Sequence, residues 1–135
     1  MKIIIASGPV IIEDNKVLLN RHGEDDKAKK YWKFIGGMVE PEDIDLSSTD
    51  ALETACKREA KEEMGIDIEI IRPLKPMLIK HPDIEGTYIV LIHYLAKRIG
   101  EIKPGDDIVG WDWFDIDNLP PSCAANIEPV VKSID

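Results

Sequence analysis

Residues 58–66 read REAKEEMGI, and the fold turns on how they are placed. Three glutamates, Glu59, Glu62 and Glu63, crowd into this stretch. On a helix, like charges three or four residues apart repel, so a solvated helix gains nothing from such spacing. Yet the surrounding residues carry the strongest helix signal in the chain. Asp50 followed by Glu53 has the spacing of a capping box, and Gly65 after Met64 is a natural stop. At about 100° per residue, positions 51–64 gather Leu52, Ala55, Cys56, Ala60 and Met64 on one broad apolar side. Thr54, Lys57 and Lys61 fall opposite. Glu59 and Glu63 project among the apolar residues, and Glu62 lies at the edge of the stripe.

Two inward carboxylates one turn apart cost stability unless something neutralises them. Two arrangements would do so. One is a salt-bridged helix in which Arg58, Lys57 and Lys61 balance the glutamates. The other is a hard divalent cation, which takes oxygen ligands from carboxylates and from substrate phosphates together.

Working outward, KIIIASGPVII reads as a buried strand, EDNK (13–16) as a turn and VLLNRH (17–22) as a returning strand, which suggests a hairpin. GEDDKAKK (23–30) is a charged loop, and YWKFIGGMVE (31–40) is a short apolar segment containing paired glycines. PEDIDLSSTD (41–50) reads as polar loop. Beyond the helix, IDIEIIRPLKPMLIK, GTYIVLIHYLAKRI and GDDIVGWDWFDI are β-rich, and LPPSCAANIEPVVKSI reads as a loop with a short closing helix. The order β-β-β-α-β-β-β-α is mixed α/β and lacks the regular alternation of a doubly wound parallel sheet.

The 135 residues fit a single domain spanning 1–135, with 44% hydrophobic and 32% charged content, a globular profile. The net charge of −9 argues against gripping a nucleic-acid polymer, which needs a basic surface. It is compatible with a small phosphorylated ligand when divalent metals lie between the charges. No apolar run has membrane-spanning length. The opening run is broken by Ser7, Gly8 and Pro9, so a strand is expected there rather than a signal peptide. Cys56 and Cys123 lack metal-ligand spacing and are expected as small core residues of a reduced, cytoplasmic protein. His22, His81 and His93 show no paired spacing, and His93, inside an apolar run, is expected in the core.

The order of residues in REAKEEMGI resembles the second half of the Nudix box, G-x5-E-x7-R-E-U-x-E-E-x-G-U, where U is a bulky apolar residue. Arg58, Glu59, Glu62, Glu63, Gly65 and Ile66 match it, and Ala60 is a small occupant of a U position. Gly37, in GGMVEPED, stands as the leading glycine. Gly37 and Arg58 lie seven residues further apart than the pattern, which an insertion at or near IDLSSTD accounts for. Counting from Gly37 puts Asp43 in place of the first glutamate, and counting back from Arg58 puts Asp50 there. Elsewhere, VLLNRH resembles the strand before the box and YWKFIGG resembles the W-x-F-P-G-G approach, with Ile35 replacing proline. GDDIVGWDWFDIDNLP resembles the late acidic-aromatic strand.

The resemblance implies an α/β/α sandwich around a mixed β-sheet. It implies hydrolysis of the diphosphate bridge in a nucleoside diphosphate linked to a group X, either a nucleoside triphosphate or an ADP-ribose or sugar nucleotide. Mg²⁺ is the implied cofactor, with Mn²⁺ as a substitute. Glu59, Glu62 and Glu63, with the Gly37 carbonyl, are the implied metal ligands, and Arg58 would orient a glutamate. The general base would be a box glutamate or an acidic residue outside it, Asp106 or Asp107, with Asp107 favoured. Implied substrate contacts are Arg21 toward phosphate, Trp32 or Trp111 toward a base, and Asn126 toward a purine edge. Core packing is the alternative for the tryptophans. Pro82 follows Ile66 by sixteen residues, where ADP-ribose-hydrolysing relatives often carry proline. The expected state is monomer or homodimer. A Nudix-like domain that senses a nucleotide without cleaving it is the second reading. An acidic interaction protein without a nucleotide site is the third.

Overall fold

The structure, a computed structural model, describes residues 1–23, 31–46 and 50–134. Most of the charged stretch 23–30 and residues 47–49 therefore lie outside the described residues. The elements run β1 (Lys2–Glu13), β2 (Lys16–His22), β3 (Gly37–Met38), α1 (Pro41–Leu46), α2 (Ala51–Met64), β4 (Asp67–Pro73), β5 (Met77–Lys80), β6 (Thr87–Ile99), β7 (Ile108–Asp115) and α3 (Ile127–Lys132).

The β1–β2 hairpin closes on Asp14 and Asn15, both at positive φ (51° and 64°), the geometry that matches the twist of paired strands. β1 then pairs in parallel with β6, from Lys2 opposite Thr87 to Ile11 opposite Ala96. The sheet runs β4-β6-β1-β2-β7, with β3 added to β1 and β5 added to β6. Among the strand pairs of the described residues only β1–β6 is parallel, so the sheet is mixed as expected.

Period-two alternation sorts side chains to the two faces. Ile11 and Leu18 point toward α2 and pack with Cys56, Ala60, Met64 and Ile66. Val10, Val17 and Leu19 point the other way and pack with Ile127, Val130 and Val131 of α3. Helices thus cover both faces, the α/β/α sandwich. The small Ala55, Cys56 and Ala60, all fully buried, form the side of α2 that meets the sheet. Ser7 Oγ on β1 donates to the Leu52 carbonyl at 2.8 Å.

Local sequence sets the ends of α2. The Asp50 carboxylate accepts from Leu52 N at 2.9 Å and Glu53 N at 3.4 Å, an N-cap. Gly65 sits at φ 66°, and its N–H donates to the Lys61 carbonyl at 3.0 Å, closing the helix in an αL cap, with Ile66 N turned toward the Ala60 carbonyl. The 101–107 segment completes that end. Lys103 N donates to the Met64 carbonyl and Gly105 N to the Glu63 carbonyl, each at 2.8 Å.

Three expectations need correction. PEDIDL is helix α1, not loop: Pro41 opens it, and the Asp43 carboxylate accepts from Glu40 N at 2.8 Å while Asp43 N donates to the Glu40 carbonyl. The β-rich stretch after α2 is two strands, β4 and β5, divided around Pro76 and both paired to β6. Cys56 is core, its thiol pushed up to about 12 by burial, but Cys123 is half-buried and lines a cavity. His93 is core as expected, 3% exposed on β6.

Candidate functional site

α2 lays its second half against the Gly36–Gly37 backbone. Glu63 Oε1 accepts from Gly36 N at 3.3 Å and from Asn20 Nδ2 at 3.0 Å. Its other oxygen lies 3.5 Å from His22 Nε2. Glu59 lies against Gly37 so closely that a Cβ there would stand 2.6 Å from Glu59 Oε1. Glu62, at the rim, is 57% exposed in its side chain. The inward, inward and edge placement read from the helical wheel is the one observed.

Arg58 organises the acidic edge. Its Nη1 donates to Glu59 Oε1 and Glu62 Oε2, each at 3.0 Å. Its Nε and Nη2 form a bidentate pair with Asp43 at 2.7 and 2.9 Å, and Nη2 also reaches the Met38 carbonyl at 3.0 Å. Asp43, 1% exposed, is therefore the aspartate that grips Arg58, while Asp50 caps the helix. The carboxyl of Asp43 is held below the usual range, first by the Arg58 hydrogen bonds. The Glu59 carboxyl and the His22 imidazole move up. Burial, then the Glu63 charge, pushes Glu59 to about 7. The hydrogen bond to Glu63 raises His22.

A divalent cation fits this edge chemically. Glu59 is a carboxylate that burial has made costly to ionise, and a cation offsets that cost. The absent Cβ at Gly37 makes room for the Glu59 carboxylate itself. Among the described residues no three His, Cys, Asp or Glu side chains already converge into a cage. Arg58 draws Glu59 and Glu62 to itself, while Glu63 is turned toward Asn20 and His22. Gly37→Ala should accordingly push the Glu59 carboxylate off its bonds. The expected result is at least a tenfold fall in turnover, with at most about 1 kcal/mol lost in urea unfolding, because the clash falls on a side-chain end rather than on backbone.

Two adjoining cavities lead away from this edge. The inner one, about 280 Å³, includes Gly36, Gly37, Lys33, His93 and Asn126 in its lining. The outer one, about 480 Å³, shares Lys33, Pro82 and Asn126 and adds Tyr31 and Cys123. Asn126 Nδ2 lies 3.3 Å from His93 Nε2, both residues being buried. Burial lowers His93 to about 4, so the ring is neutral.

Of the residues singled out from sequence, Glu59, Glu62, Glu63, Arg58 and Gly37 come together, and Asn126 joins them through the cleft. Asp107 is near enough for its charge to raise His22, and its carbonyl accepts from Gly23 N at 3.0 Å. Arg21 stacks on Trp32, its guanidinium carbon 4.4 Å from the ring centroid, and Trp32 meets Phe114 edge-on at 4.7 Å. Neither Arg21 nor Trp32 lines either of these two cavities, and nor does Trp111, 38% exposed on β7 opposite Asn20. Sequence reasoning missed Asn20, His22, Lys33 and Tyr31. Asn20 and His22 flank the singled-out Arg21 in alternation, the one available signal for them.

Comparison with known proteins agrees with the architecture. The model of the NUDIX domain matches residues 4–133. An ADP-ribose pyrophosphatase of Methanocaldococcus jannaschii is 30% identical over 128 residues, covering 95% of this chain and 70% of that protein. In fold, a MutT NUDIX hydrolase from Burkholderia pseudomallei superimposes with a TM-score of 0.82 at 24% identity, covering 100% of each chain. An ADP-ribose pyrophosphatase from Streptococcus suis gives 0.63 at 20% identity over 95% of this chain and 88% of that one. With a NUDIX match over nearly its whole length and the acidic edge of the box assembled on α2, the chain belongs to the Nudix family of hydrolases, which act on pyrophosphate bonds.

Proposed function

We propose that the protein is a divalent-metal-dependent pyrophosphohydrolase that cleaves the diphosphate bridge of an ADP-ribose-like nucleoside diphosphate derivative. The observation that carries this is the meeting of Glu59 and Glu63 with the Gly36–Gly37 backbone at one end of a two-part cleft. Two adjoining cavities suit a substrate with a group on each side of the diphosphate. The 30% identical ADP-ribose pyrophosphatase and Pro82, which lines both cavities, support the same substrate class.

Glu59, Glu62, Glu63 and the Gly37 carbonyl would hold Mg²⁺, with Mn²⁺ able to replace it. A bound divalent cation neutralises diphosphate charge and lowers the pKa of water. The residues of the chain do the rest. Arg58 fixes the orientation of Glu59 and Glu62, since its planar fork leaves each bond little freedom. Asn20 and Gly36 N hold Glu63. Asp107, exposed beside His22, is the proposed proton acceptor outside the helix. Asn126, aligned by His93, presents an amide to the nucleoside.

A nucleotide panel with Mg²⁺ tests the reading. Newly exposed phosphomonoester, reported by alkaline phosphatase from ADP-ribose, is the expected signal. Pyrophosphate release from triphosphates alone would move the substrate class. Silence in both assays, with nucleotide still raising the melting temperature, would favour a sensor.

A further inference from the structure

Lys33 is the one lysine that lines both cavities. Its backbone is fixed: Lys33 N donates to the Asn20 carbonyl and Asn20 N to the Lys33 carbonyl, each at 2.9 Å. Its neighbours on either side are occupied elsewhere, Phe34 in the core and Trp32 beneath Arg21. Among the described residues no carboxylate pairs with it.

A chain of net charge −9 that leaves a cation at the seam of two cavities has a reason if an anion lies there. The diphosphate bridge has two phosphoryl groups. On the proposed reading one would lie at the glutamates, and the other would extend into the cleft, where a positive point charge on a flexible stem can hold it. Tyr31, 44% exposed, lines the outer cavity and Asn126 lines both, with surface suited to a nucleoside.

Building on the proposed diphosphate hydrolysis, we infer that Lys33 binds the phosphoryl group that stays on the nucleoside half, and so directs the nucleoside into the outer cavity. Nothing in the box motif assigns this role. The amine takes no part in bond breaking.

Calorimetric titration with AMP and with adenosine, under chelator so that no metal contributes, isolates the contact. Lys33→Ala should weaken AMP about tenfold, the worth of one charge-assisted hydrogen bond, and adenosine less than twofold. Lys33→Gln, which keeps the stem, should behave like Lys33→Ala, and Lys33→Arg should restore most of the AMP affinity. Equal losses for both ligands would make Lys33 a wall residue and overturn the inference, as would unchanged AMP binding. The outcome separates from the hydrolase reading. A protein that binds AMP through Lys33 yet cleaves no diphosphate defeats only the proposed function. An active enzyme indifferent to Lys33 in AMP binding defeats only this inference.

Discussion

Glu59→Gln should abolish diphosphate hydrolysis and at the same time make the metal-free protein more stable at pH 8. The two effects share one cause. The Glu59 carboxyl is pushed up from 4.5 to about 7 by burial first and by Glu63 second. Its charged form is therefore disfavoured in the fold. For a carboxyl whose folded value is raised, stability is highest below the unfolded value and falls as pH rises toward the folded one. The window here runs from about 4.5 to about 7, and the loss amounts to at most roughly 3 kcal/mol. Glutamine has the same shape and no charge to lose, so the variant should show a flat stability profile across that window in urea unfolding with chelator. Adding Mg²⁺ should flatten the profile of the unaltered protein and do little to the variant. Turnover should fall by at least about a hundredfold, the scale seen when a preorganised charge is removed from a reacting centre. A variant no more stable than the parent at pH 8 would refute the account of Glu59 as a strained carboxylate.

The second large effect is expected at Asp43, which lines neither cavity. Asp43→Ala should cost roughly 3 kcal/mol in unfolding free energy, since it strips a largely buried guanidinium of its bidentate partner. Arg58 would keep Glu59 and Glu62, which holds the cost at the lower end for a broken buried pair. Asp50→Ala, which removes a helix cap, should cost only about 1 kcal/mol. The ranking would be reversed if Asp50 held the arginine. The pH signature also differs from that of Glu59. Asp43 is held low, chiefly by Arg58, so its stabilisation is present above the unfolded carboxyl value and is lost as pH falls through the folded one. The alanine variant should lose that acid limb. Turnover should fall as well, because Glu59 and Glu62 would no longer share an anchored donor.

The contrast between these two residues marks what can be read from sequence. Glu59 and Glu63 were legible because helical periodicity is local: once Asp50 and Gly65 set the ends, the inward faces followed. Asp43 and Asp50 looked equivalent because motif spacing counts residues and says nothing of direction. Only the fold shows one carboxylate turned toward Arg58 and the other toward two backbone amides. α1 escaped notice because six residues give too little apolar periodicity, and part of what holds it is the tertiary grip on Arg58. The division of β4 from β5 depends on where β6 offers partners. Lys33 carried no signal, since a lone lysine in an apolar segment has no spacing to match. His93 and Asn126 stand far apart in the chain, and their contact exists only after the sheet and α3 are stacked.

The parallel pairing of β1 with β6 has a consequence for biosynthesis. β1 meets β6 along ten registered positions, Lys2 to Ile11 against Thr87 to Ala96. On the ribosome, β1 and β2 can close their hairpin early, whereas the partner on the other edge of β1 is translated only after α2, β4 and β5. Until then an apolar strand edge is exposed on the nascent chain, a template for pairing with other chains. Such long-range closure is slow in folding as well. α2 emerges before the central sheet exists to receive it, and its buried glutamates find their setting only when the last strands arrive. Competence for chemistry should thus trail secondary structure during synthesis, and chaperone demand should peak in the interval between.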